Sequence, residues 1–263
     1  MQISQFFHIK SWFDAYTHSF LSGDAAQDSP LVLKINHTHR VCANICNIGE
    51  TLDLSDTHMR LAETVGLLHD VGRFEQFKRF GTFNDHQSIN HAALGVDVLK
   101  KNAVLKSLEA EEQAFVTDAV RLHNAPALPL KRPPTNLLYM RLVRDADKLD
   151  IWKIFADCFR ADQPSEPAIV QHLPDRPTWE EAIIEAIMQK HMAKFQDMRS
   201  LNDFKLLQLS WVFDLNFQET SVLATKRGDL AAIARSLPEG PAVERAVDVT
   251  MQHLDELAST ASS

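Results

Sequence analysis

Glycine is scarce, and its distribution removes one common class of function. The 263 residues hold eight glycines, with none between Gly95 and Gly228. Neither a G-x-G-x-x-G turn nor a G-x-x-x-x-G-K-[ST] loop can be written anywhere, so a nucleotide cradled by a glycine-rich loop is excluded. Cysteine is scarcer still: Cys42, Cys46 and Cys158 are too few for a disulfide framework. The i,i+4 spacing of Cys42 and Cys46 reads as two small apolar residues on one helix face. No apolar run approaches the roughly 20 residues that span a bilayer. The opening Met1-Gln2-Ile3-Ser4-Gln5-Phe6-Phe7-His8 lacks both a basic start and a long apolar stretch before a small-residue cleavage site, so a cytoplasmic protein without a membrane partner is expected. Basic charge is also in deficit. Lys and Arg total 27 against 35 Asp and Glu, a formal charge of -8, and a surface of that sign repels a phosphate backbone, which disfavours bulk nucleic-acid binding. Long Val/Ile/Thr alternation bounded by turn pairs, the mark of strands, is missing too.

What remains is helical periodicity in a chain long enough for one large domain or two small ones. Apolar residues recur at three and four in 31–48, 56–71, 85–101 and 109–124, and again in 135–160, 178–196, 201–217, 219–236 and 241–259. Prolines gather at Pro126, Pro129, Pro133 and Pro134 and at Pro164, Pro167, Pro174 and Pro177, which marks two loops because proline inside a helix removes a hydrogen bond and clashes. Gly72 reads as the stop of the 56–71 helix, and 73–86 and 124–134 as loops. The expected fold is all-α: a single unit over 1–263, with helices from 178 to 263 added to a core bundle.

Several of the 12 histidines sit on apolar helix faces. His37 steps to Val41, Ile45 and Ile48; His91 steps to Leu94 and Val98; His123 steps back to Val120 and Val116. His69 and Asp70 end the apolar run Val65-Gly66-Leu67-Leu68. Asp147 lies on the stripe Met140, Val143, Ile151 and Ile154, whereas Asp145 and Asp150 fall off it and read as solvated or salt-bridged. Burying a carboxylate without a partner is costly, and a cation is one of the few partners that removes the cost. Four inward histidines and two inward carboxylates fit a metal site assembled from facing helices of a bundle. His39, two residues from His37, faces elsewhere, and His86 reads as a loop or helix-start residue. Trp152 and Phe155 read as core.

The ordered segments His37-Thr38-His39-Arg40-Val41, His69-Asp70-Val71-Gly72-Arg73 and Ala146-Asp147-Lys148-Leu149 resemble the HD-domain metal-dependent phosphohydrolases over about residues 30–160. His91 and His123 resemble the additional ligands of the binuclear members. The resemblance implies an all-α HD-domain-like bundle and a binuclear centre of divalent transition metals (Mn, Fe, Zn, Co or Ni). It places His37, His69 and Asp147 on one ion, His91 and His123 on the other, and Asp70 as catalytic bridge between them. It further implies hydrolysis of a small phosphate ester, a nucleotide among the candidates, with Arg73 and Lys148 as substrate-binding cations. Arg73 stands where many relatives carry lysine, and Asn124-Ala125-Pro126 stands where the cyclic-dinucleotide subgroup has Gly-Tyr-Pro. Two alternatives share the scaffold: an HD-domain di-iron oxygenase, and a non-catalytic interaction module that a metal stabilises.

Overall fold

Helices begin where the chain supplies caps. In a computed structural model that describes residues 1–129, 131–160 and 173–259, Asp24 opens one helix by accepting the N–H groups of Ala26 at 2.9 Å and Gln27 at 3.1 Å. Asn90 accepts Ala93 N–H at 2.9 Å and Ser200 accepts Asp203 N–H at 3.2 Å, which satisfies donors that a helix start leaves over. Pro134 and Pro241 each stand at a first helical position, where the missing N–H costs nothing. The helices are α1 (Ile3–His18), α2 (Ala25–Thr51), α3 (Asp56–Leu68), α4 (Gly72–Phe80), α5 (His91–Lys101), α6 (Ala110–Leu122), α7 (Pro134–Arg160), α8 (Glu181–Met188), α9 (Leu201–Ser210), α10 (Gln218–Arg227), α11 (Asp229–Arg235) and α12 (Pro241–Ser259). There is no strand among the described residues, and the fold is all-α. No described helix is long and apolar enough to cross a membrane.

The described chain divides into two units, Met1–Asp147 and Lys148–Ser263, with the division inside α7. In the first unit α3 is enclosed by α1, α2 and α6. Ile45, Ile48, Val65, Leu68, Val116 and Val120 are all but inaccessible to solvent. Gly66 lets α2 come close: a Cβ there would lie 2.6 Å from Ile45 Cδ1. α1 lies outside the segments that periodicity marks, yet its stripe of Phe6, Ile9, Phe13 and Thr17 is buried, with the Phe13 ring edge-on to Phe74 at 6.3 Å.

Several segments differ from expectation: the expected helices 85–101, 178–196 and 201–217 are shorter, spanning His91–Lys101, Glu181–Met188 and Leu201–Ser210. α3 stops at Leu68, and Gly72 starts a helix instead of ending one, so 72–80 is helical where a loop is expected. The reason is tertiary: α4 packs on α5, and Phe74 is fully buried. The expected 219–236 helix breaks at Gly228, which takes the left-handed conformation at φ 66°. Finally, Asp145 and Asp150 are buried, because α7 is enclosed around most of its circumference, with Tyr139, Met140, Leu142, Val143, Ala146 and Leu149 all buried as well.

In the second unit α9 is buried from Asn202 to Ser210. Trp152 Nε1–H donates to Gln208 O at 3.0 Å, and Phe155 meets Phe204 edge-on at 4.8 Å, so both aromatics are core. α12 closes over its partners α8 and α10 through the stripe Val243, Ala246, Thr250 and Leu254. Of the second proline cluster, Pro164 and Pro167 lie outside the described residues.

The tightest backbone approach gives a stability test. A Cβ on Gly72 would lie 2.2 Å from His91 O and 2.6 Å from Gly95 N, and backbone cannot yield as a flexible side chain can. Gly72→Ala is expected to destabilise the protein by about 3 kcal/mol, the upper range of overpacking, read as a lowered urea midpoint. A wild-type midpoint would show that the α4–α5 approach is slack.

Candidate metal centre

The centre is built from helix ends. His69 and His123 are the C-terminal caps of α3 and α6, and each ring turns back on its own helix. His69 Nδ1 donates to Gly66 O at 2.7 Å and His123 Nδ1 to Val120 O at 2.8 Å. A carbonyl oxygen can only accept, so Nδ1 carries the hydrogen in both rings and Nε2 presents a bare lone pair. His91 opens α5, and its Nδ1 lies 2.7 Å and 2.9 Å from the two carboxylate oxygens of Asp85, which fixes the same tautomer. His37 is held on α2 among Val41, Ile45 and Ile48, with 1% of its surface exposed. Asp70 occupies the turn between α3 and α4 and is 3% exposed.

These side chains form two groups that share one carboxylate. On one side His37 Nε2 lies 3.1 Å from Asp147 Oδ1 and 3.3 Å from His69 Nε2. Asp70 Oδ2 faces this group at 3.7 Å from His37 and 3.8 Å from His69. On the other side His91 Nε2 and His123 Nε2 lie 2.9 Å apart, and Asp70 Oδ1 faces them at 3.2 Å and 3.7 Å. The ligand atoms of His37, His69 and Asp70, and those of Asp70, His91 and His123, each lie within 4.8 Å of one another.

This donor set fits a divalent cation. Two unprotonated nitrogens facing each other at 2.9 Å repel, and a positive ion between or beside them removes the repulsion. Nitrogen and carboxylate oxygen together suit the borderline first-row metals. Burial pushes the His69 imidazole down to about 4 and lowers that of His91, which keeps both neutral, the form that coordinates metal. Burial alone would raise the Asp70 carboxyl, but the cations Lys34 and Arg73 beside it hold it well below the ordinary value. Burial acts the same way on Asp147, and its hydrogen bond to His37 outweighs it. Asp85, bonded to His91, is brought down to about 2 against the same burial penalty. The carboxylates are therefore charged.

Two side chains of the cluster escape the sequence reading. Lys34 Nζ lies 2.7 Å from Asp70 Oδ2; it stands three residues before His37, and helical spacing puts it on the same face. Asp85 belongs to a short turn, Asp85–Gln87, and nothing local announces that it meets His91 six residues later. It also accepts from Arg73 Nη1 at 2.9 Å, Gln76 Nε2 at 2.8 Å and Asn124 Nδ2 at 3.3 Å. Arg73 is thereby anchored beside the centre, with its Nε 3.4 Å from Asp70 Oδ1. Gln76 is fully buried. Lys148 Nζ donates to the Asp214 carboxylate at 2.5 Å and to Asp214 O at 3.1 Å, so its charge is met by that residue. Arg79 pairs with Glu75, and His39 and His86 are exposed.

Asp85→Ala removes the acceptor that orients His91 without touching a ligand atom. Loss of such a partner lowers metal affinity about 10- to 100-fold. Competition with a chromophoric chelator should read that loss, and an unchanged affinity would remove His91 from the ligand set.

The protein-family comparison matches residues 35–152 to the HD domain. No curated protein and no solved structure gives a significant match. The matched segment contains His37, His69, Asp70, His91 and His123, which gather around the two oxygens of Asp70, and Asp147 beside His37, so over residues 35–152 the chain is similar to the HD domain.

Proposed function

We propose that the protein is a metal-dependent phosphohydrolase that cleaves a small phosphate ester, a monoester or diester with nucleotides among the candidates. One observation carries this reading: a buried carboxylate offers one oxygen to each of two imidazole groups, and two cations, Lys34 and Arg73, stand at its edge. The imidazoles and carboxylates supply the ligands, and the cations supply what an anionic substrate requires.

In this reading His37, His69 and Asp147 would hold one ion, His91 and His123 would hold the other, and Asp70 would serve both. Ions of this kind contribute Lewis-acid charge against the phosphoryl oxygens and a water acidic enough to attack at neutral pH. Asp70, with one oxygen toward each imidazole group, would serve as the shared ligand of the two ions. Arg73 is fixed by Asp85, Gln76 and the carbonyl of Phe83, so its guanidinium meets a phosphoryl oxygen without having to be ordered first. Lys148, engaged by Asp214, has no phosphate contact in this assignment. The two cations favour an anionic ester as substrate. The formal net charge of -8 makes a small substrate a better fit than a nucleic-acid chain.

The test combines elemental analysis of the purified protein with a phosphate-release screen over nucleotides, cyclic nucleotides and sugar phosphates. Asp70→Asn keeps the volume and removes the charge that holds two cations together, so metal content and turnover should fall together. Arg73→Ala should keep its metal and lose about tenfold or more in kcat/KM, as expected for a charge-assisted hydrogen bond to substrate. If Asp70→Asn retains two ions and full hydrolysis, the assignment fails at its centre. Oxygen uptake by an iron-loaded protein without phosphate release would replace it with the oxygenase.

A further inference from the structure

Lys34 stands out from the other charged groups of the centre by how loosely it is tied. Arg73 is anchored by three acceptors besides Asp70, whereas the partners of Lys34 among the described residues are the Asp70 carboxylate and the face of Phe83, whose ring centre lies 5.6 Å from Nζ. Its side chain is 18% exposed against 4% for Asp70, so the ammonium reaches a buried carboxylate from the open side of the site. The oxygen it touches, Oδ2, is also the one that faces His37 and His69.

An ammonium at 2.7 Å from Oδ2 and a divalent ion on the same oxygen would be only a few ångströms apart, where like charges repel strongly. A flexible four-carbon stem lets the lysine yield, and the aromatic face gives the displaced cation a place to rest. We infer that Lys34 is the resident counter-charge of this centre. It neutralises Asp70 Oδ2, gives that oxygen up as a divalent ion arrives, and then turns its ammonium toward a phosphoryl oxygen of the substrate. The last step rests on the phosphohydrolase reading; the first two do not. Lys34 is thus a residue whose removal has opposite effects on the two ligands: the metal binds more tightly, because no cation has to be displaced, and the phosphate more weakly, because one cation is lost.

The experiment is a chelator-competition titration of Mn2+ on the full chain, comparing wild type with Lys34→Met, Lys34→Gln and Lys34→Arg, followed by titration of the Mn2+-loaded proteins with inorganic phosphate. The two neutral variants should bind Mn2+ about tenfold or more tightly than wild type and phosphate about tenfold or more weakly. With chelator present they should melt at a lower temperature, since the buried Asp70 carboxylate loses its ammonium. Lys34→Arg, which keeps the charge, should return Mn2+ affinity toward wild type, an effect that a merely structural role would not produce. Should Lys34→Met fail to fold, Lys34→Gln carries the same expectation in a polar side chain. Unchanged or weaker Mn2+ binding in the neutral variants overturns the inference and leaves the hydrolase reading standing. Tighter Mn2+ with unchanged phosphate overturns its substrate half, and a wild type that takes up none of Mn2+, Fe2+, Zn2+, Co2+ or Ni2+ overturns both readings.

Discussion

A carboxylate that is 3% exposed must be surrounded by partners, and the arrangement around Asp70 follows from that requirement. An isolated buried charge costs several kcal/mol even after relaxation. The chain meets the demand with Lys34 at one oxygen, Arg73 near the other, and imidazole nitrogens facing both. To gather them it has to bring α2, the α3–α4 turn, the start of α5 and the end of α6 to one point. Gly66 and Gly72, where a side chain would collide with Ile45 and with the backbone of His91, permit that convergence.

Helix termini suit this task. A helix end leaves carbonyls without intrahelical partners, and His69 and His123 each use one to hold their own rings. The hydrogen bond that completes the helix is therefore the same one that exposes Nε2 toward Asp70. At the start of α5 the device is different: an N-terminus has no spare carbonyl, and His91 is oriented by Asp85 from outside its helix. Structure and chemistry are coupled in the first two cases and separable in the third, where orientation depends on a turn held by Arg73, Gln76 and Asn124.

This difference explains what can be read from the residues alone. His37, His91, His123 and Asp147 are legible as inward-facing groups because the period of 3.6 fixes which face each occupies, and His69-Asp70 because an apolar run leads into it. Lys34 is within reach of the same reasoning, one turn before His37, but a lysine on a helix is ordinarily solvated and carries no local sign of a buried acceptor. Asp85 is beyond it, since its role depends on how a turn folds against α4 and α5. The helical character of α2, α3 and α7 follows from periodicity and caps. α1 and α4 do not: one is short in apolar contrast at its start, and the other follows a glycine that reads as a stop and forms because α5 packs against it.

The resident charges also bear on what kind of ligand the centre can accept. Asp70, Asp147 and Asp85 are ionised, against Lys34 and Arg73, and His69 and His91 are held neutral by burial. The protein's own groups thus come close to balance, with a small negative excess that a cation relieves. Two divalent ions would more than reverse it, and the surplus positive charge would then call for an anion at the open edge, where Lys34 and Arg73 stand. A neutral substrate would leave that surplus unmet in a site with few exposed polar groups. Charge balance of the buried residues therefore supports the proposed pairing of metal cations with an anionic substrate.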